Sequence, residues 1–98
     1  MIRFHFFRWP GDRLPGKPGK KGMVQCCHVY GTGPLEELLS WARVNRISQK
    51  WLQQNGRQIP HFDIWGTNLK RCGAGVTNQQ FAADLRRWRE GSLCRGNG

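Results

Sequence analysis

The chain has 98 residues, sixteen of them Lys or Arg against six Asp or Glu, for a formal charge of +10. That length suits one domain with a single modest core, and no stretch offers the ~20 apolar residues of a membrane-spanning helix. A compact chain repels itself at such a charge, so the excess points to an anionic partner, nucleic acid or a nucleoprotein complex. Anionic lipid is disfavoured, because the basic residues are not paired with an exposed apolar helix face.

Residues 2–7 alternate around aromatics and predict a strand, with Ile2, Phe4 and Phe6 on one face and Arg3, His5 and Phe7 on the other. They are too few and too aromatic for a signal peptide and no small-residue cleavage site follows, so a cytoplasmic setting is expected. From Arg8 to Gly22, three Pro and four Gly break both periodicities and predict a mobile basic loop. Residues 23–30 resume as a second strand, pairing with the first. Pro34 suits the first position of a helix, Glu36 and Glu37 favour its first turn, and Leu35, Leu38, Leu39 and Ala42 form its buried stripe. Ser48 reads as the cap of a second short helix that carries Trp51 and Leu52 and ends at Asn55-Gly56.

Residues 60–65 read as extended or loop-like. Thr67 is placed to cap a short helix through Cys72, stopped by Gly73. Thr77 with Gln80 three residues on forms a capping box opening a last helix to about Glu90, with Phe81, Leu85 and Trp88 inward and Arg86, Arg87 and Arg89 near its end. Residues 91–98 are expected to fray. The sum is one small α+β domain over residues 1–90: a two-stranded or slightly larger sheet packed with three to four short helices.

Four constellations carry candidate chemistry. Arg13, Lys17, Lys20 and Lys21 form a basic loop that is either a solvated surface or a phosphate clamp gaining affinity by counterion release. Leu38 to Gln53 has the layout of a helix-turn-helix that would present Gln49, Lys50, Gln53 and Gln54 to base edges and phosphates, and Arg43, Arg46 and Lys50 of this stretch would support the phosphate contacts of the basic loop. Against it, the turn position that prefers Gly holds Arg46, although the neighbouring Asn45 tolerates a left-handed conformation. His5, His28, His61 and Asp63 form a polar set able to do acid–base work or bind a metal, or simply to tie loops to the sheet. Trp9, beside the basic loop, is the aromatic best placed to stack on a base, with packing against the strands as its alternative role, whereas Trp41, Trp51, Trp65 and Trp88 fall mostly at core-like positions. Among Cys26, Cys27, Cys72 and Cys94, the first two are adjacent and the last sits in a Gly-rich tail, which favours reduced thiols over disulfides, and the lack of a CxxC pair argues against a structural zinc site. No metal or cofactor is assigned from the sequence.

Several segments together resemble a family of small bacterial and phage domains known only as a domain of unknown function, number four thousand and thirty-one in its series. The resemblance lies in Arg8-Trp9-Pro10, His28-Val29, Leu35-Glu36-Glu37-Leu38 running to Trp41-Ala42, His61-Phe62-Asp63 and Gly73-Ala74-Gly75-Val76, and spans most of residues 2–90. The chain departs from that pattern with His5 and Gly31 where the family tends to place Asp, and with an expanded 11–22 loop. The resemblance implies a small α+β fold and a phage or bacterial setting, and brings no activity with it. With no strong catalytic motif in the chain, the leading expectation is a non-enzymatic, nucleic-acid-associated domain of phage or mobile-element origin. The alternatives are a phage inhibitor of a host defence nucleoprotein, and a small metal-dependent hydrolase or nuclease using His28, His61 and Asp63.

Overall fold

A computed structural model describes residues 1–14, 22–54, 56 and 58–91. The elements are β1 (Ile2–Pro10), β2 (Met23–Gly31), α1 (Leu35–Val44), β3 (His61–Trp65) and α2 (Asn78–Arg89), with 3-10 turns at Gly11–Arg13, Gln49–Trp51 and Gly66–Arg71. The expected α+β class holds. The sheet has three antiparallel strands in the order β1-β2-β3, so of the two readings of the 60–65 segment the extended one holds, with His61–Trp65 paired to β2.

The alternation expected for β1 sets the two faces of the sheet. Phe4 and Phe6 join Cys27, Val29, Phe62 and Ile64 on one face, where Leu38 and Ala42 of α1 pack into the larger hydrophobic cluster. Leu38 is 2% exposed, and burying a leucine to that extent is worth about 1.5–3 kcal/mol. On the opposite face Tyr30, Ile59 and Trp88 form a second, smaller cluster flanked by Phe81 and Leu85 of α2. The sheet thus divides the buried apolar surface in two, where a single core was expected.

Both sheet edges are partly paired, which limits edge-to-edge association. Along β1, Gly75 makes a parallel bridge to Phe4, and the Val76 N–H donates to the Phe4 carbonyl at 2.7 Å. A Cβ on Gly75 would stand 2.7 Å from the Phe6 ring, so this approach needs a glycine. Along β3, Gln53 and His61 exchange backbone hydrogen bonds of 2.9 and 3.2 Å. That bridge sets Gln53 beside Asp63.

The turn after α1 differs from expectation. Arg46 itself takes the left-handed conformation, with φ of 60°, while Asn45 stays at φ −93°. The Arg46 N–H donates to the Arg43 carbonyl at 3.2 Å and the Ile47 N–H to the Ala42 carbonyl at 2.8 Å. These are the two bonds of a Schellman cap, a site where Gly is usual. Beyond it, the second helix of the expected helix-turn-helix is a single 3-10 turn, Gln49–Trp51, and Ser48 makes no side-chain cap. Trp51 therefore has no helix face to bury and is 51% exposed, contrary to its core assignment.

Three smaller expectations also shift. Gly11–Arg13 holds a 3-10 turn and Leu14 is buried, so order extends into the segment read as a loop. The 66–71 turn is 3-10 and begins at Gly66, with no capping side chain, so Thr67 does not start it. At α2 the Thr77 hydroxyl accepts from the Gln80 N–H at 3.0 Å, as expected of the cap, but the Gln80 side chain turns away and donates to Asp84 at 2.9 Å. Asp84 is fully buried on the inner face of α2. Its carboxylate also accepts from Tyr30 Oη at 2.6 Å and from Arg3 Nη1 at 2.9 and 3.2 Å. This network ties α2 to β1 and β2.

Candidate functional site

Antiparallel register places His5 opposite His28, and His28 opposite Asp63, on the face shared with α2. α2 covers one end of that face. The other end opens as a cleft of about 460 Å³ whose lining includes Trp9, Arg13, Cys26, His28, His61 and Asp63. A second cleft of about 390 Å³ shares Asp63 and is lined by Arg46, Trp51 and Trp65 among others. A third, of about 130 Å³, shares His28 and His61 and reaches Arg89. The polar cluster therefore sits where three depressions meet, each with an arginine in its wall.

The centre is built around one carboxylate oxygen. His28 Nδ1 lies 2.7 Å from Asp63 Oδ1 and, facing a carboxylate, donates its proton to it. His61 Nε2 lies 3.4 Å from the same oxygen. The other His61 nitrogen, Nδ1, is 2.8 Å from the Ile59 carbonyl. A carbonyl only accepts, so Nδ1 carries the proton and the ring orientation is fixed. Gln53 Nε2 donates to Asp63 Oδ2 at 3.3 Å, anchoring the second oxygen. Phe7 stacks on the His28 ring with centroids 3.9 Å apart.

Electrostatics follow from this packing. Burial alone would raise the Asp63 carboxyl, but hydrogen bonds and charge from His28 and His61 outweigh it and hold the group well below the usual carboxylate range. Burial works against a charged His61, yet the bonds to Asp63 and to the Ile59 carbonyl prevail and raise it. Cys26 lies in the same cleft, and there burial, aided by the Asp63 charge, pushes the thiol up. It is a buried thiol and not an activated nucleophile.

The structure brings His28, His61 and Asp63 together and leaves His5 out. His5 Nε2 pairs with Asn78 Oδ1 at 2.7 Å and its ring stacks on Phe81 at 4.0 Å, so it serves to seat α2. Arg8, on a face of β1 opposite to that of His5, is exposed and does not join the cluster. Trp9 and Arg13 line the largest of these three clefts, and Arg46 lines the second. Lys50 is exposed with its ammonium 5.6 Å from the centre of the Trp51 ring, and Arg43 is exposed on the last turn of α1. Lys17, Lys20 and Lys21 lie outside the described residues, as does the 92–98 tail. Trp51 is the residue that sequence reasoning misassigned. The available signal was the adjacent Lys50, a basic and aromatic pair on a segment too short to bury either.

The chain matches no protein-family model, no curated protein and no solved structure. Among the described residues no helix is long and apolar enough to cross a membrane.

Proposed function

We propose that this domain binds single-stranded nucleic acid, laying the strand across the two larger clefts that meet at Asp63. One observation carries the reading: each of those clefts pairs an exposed tryptophan with an arginine. Trp9, 43% exposed, stands with Arg13, and Trp51, 51% exposed, stands with Arg46. Aromatic faces that stack on bases, alternating with cations that follow phosphates, are what sequence-tolerant single-strand binding requires. Lys50 over the Trp51 ring adds a further cation at the same end. The +10 charge supplies long-range attraction to the backbone. A duplex-reading helix-turn-helix fits less well, because its second helix would be one 3-10 turn.

Arg46 supports the same reading from its backbone. A non-glycine residue in the left-handed region costs about 1 kcal/mol, and strain of that kind is retained where the side chain has a use. Arg46→Gly is expected to raise folding stability by about 1 kcal/mol while weakening oligonucleotide binding. Urea unfolding reads the first effect and fluorescence anisotropy with a labelled single strand the second. Between about 50 and 200 mM salt, the log–log slope of the wild-type affinity should be steep, and the variant's should be shallower by about 0.7. Binding to no single-stranded DNA or RNA at low salt would overturn the proposal. Retention on a nucleoprotein complex without affinity for the free strand would point instead to an inhibitor of that complex.

A further inference from the structure

We propose that His28, His61 and Asp63 form a binding site for one first-row divalent transition ion of the zinc class, with a coordination position open to the cleft. One donor atom from each residue lies within 4.8 Å of the others. Ligands held about 2.0–2.1 Å from a tetrahedral ion stand roughly 3.3–3.4 Å apart. His61 Nε2 and Asp63 Oδ1 already stand 3.4 Å apart. His28 Nδ1 and Asp63 Oδ1 are at 2.7 Å with a proton between them. Replacing that proton by an ion needs an opening of about 0.6 Å, within the reach of side-chain adjustment.

The groups behind the donors are those a metal site needs. With its Nδ1 proton committed to the Ile59 carbonyl, a neutral His61 turns the Nε2 lone pair toward a carboxylate oxygen. Two lone pairs facing each other require a cation between them, either a proton or a metal. A ligand histidine whose other nitrogen donates to a backbone carbonyl is the usual outer-shell arrangement. Gln53 anchors Asp63 Oδ2 and leaves Oδ1 as the donor, and Phe7 holds the His28 ring by stacking. The site is accessible: the His28 and Asp63 side chains are 22% and 28% exposed on the cleft side of the sheet, while His61 closes the back at 8%.

Two imidazoles and one carboxylate also choose the ion. Magnesium and calcium ask for oxygen ligands and six or more of them. An N₂O set suits zinc, cobalt or ferrous iron, and three protein ligands leave room for water or a ligand oxygen. The ion would place positive charge where the two larger clefts meet, at a carboxylate that would otherwise repel a phosphate. The site does not depend on nucleic-acid binding, and its test uses metal alone.

The experiment is a Co²⁺ titration of the chelator-treated full chain, read by visible d–d absorption and followed by displacement with Zn²⁺. The expected result is one equivalent bound, full displacement by Zn²⁺, no displacement by millimolar Mg²⁺, and no thiolate-to-cobalt charge-transfer band. His61→Ala and Asp63→Asn, each confirmed folded by circular dichroism, should lose the absorption. Gln53→Ala, which touches only the anchoring of Asp63, should weaken binding by about tenfold or more. No binding by the folded wild-type chain, unchanged binding in both ligand variants, or a thiolate band would each overturn the proposal.

Discussion

Asp84→Ala is expected to lower folding stability by about 3 kcal/mol or more. The carboxylate is fully buried and accepts from Arg3, Tyr30 and Gln80. Removing it leaves the guanidinium of Arg3, whose side chain is only 22% exposed, and a phenol packed in the smaller hydrophobic cluster without their acceptor. Breaking a buried pair from one side typically costs about 3–5 kcal/mol, because the stranded charge loses both water and partner. Partial rehydration of Arg3 through its exposed fraction places the loss toward the lower end of that range. Burial, reinforced by the hydrogen bond to Asp84, also holds the Tyr30 hydroxyl above its usual range. The Ala variant should therefore show tyrosine ionisation at lower pH in ultraviolet titration. Urea unfolding checks the stability change, and a loss below about 1 kcal/mol would mean that the network does not lock α2 to the sheet.

The paired substitution Trp9→Ala, Trp51→Ala should nearly abolish oligonucleotide binding while the chain stays folded. Base–aromatic stacking is worth about 1–3 kcal/mol per ring. The two rings stand in separate clefts, so their losses should add. The combined effect is about 2–6 kcal/mol, at least thirtyfold in affinity. Stability should change far less than on removing a core ring, because about half of each surface is already in water. Trp88→Ala supplies the contrast: its ring is 6% exposed within the smaller cluster, and its loss should unfold the chain before it reports on binding. Anisotropy titration of the single and double variants checks both parts. Unchanged affinity in the double variant would remove the stacking role.

Local patterns in the sequence were legible where local physics decides the outcome. The period-2 alternation of residues 2–7 assigns both faces of β1 correctly, and the 35, 38, 39, 42 stripe marks the face of α1 that packs on the sheet. The Thr77 cap is also a local signal, a hydroxyl three residues before the N–H that it accepts. What depends on distant pairing was not legible. His28 and Asp63 are 35 positions apart, and only the β2–β3 register sets them opposite each other. Nothing in the 60–65 segment alone distinguishes a paired strand from a loop beside a proline. Asp84 falls between Phe81 and Leu85 on an otherwise apolar face, so its partners, Arg3 and Tyr30, appear only once β1 and β2 are in place. Trp51 was misread because a helix was expected after Ser48, and a single 3-10 turn leaves the ring outside. Of the segments that resemble the bacterial and phage family, those carrying Trp9, His28 and the His61–Asp63 pair meet at one cleft, while Arg8 points elsewhere.

Among the described residues, one arginine stands in the wall of each of three clefts around one His–Asp centre. Binding through that geometry is tested most directly by the tryptophan indole N–H resonances of the isotopically labelled chain during titration with a short single strand at low salt. The indole signals of Trp9 and Trp51 should shift together and saturate at a common ratio, while those of Trp41 and Trp88 stay in place. Shifts confined to other residues, or an unchanged spectrum in the presence of excess strand, would contradict the proposed path.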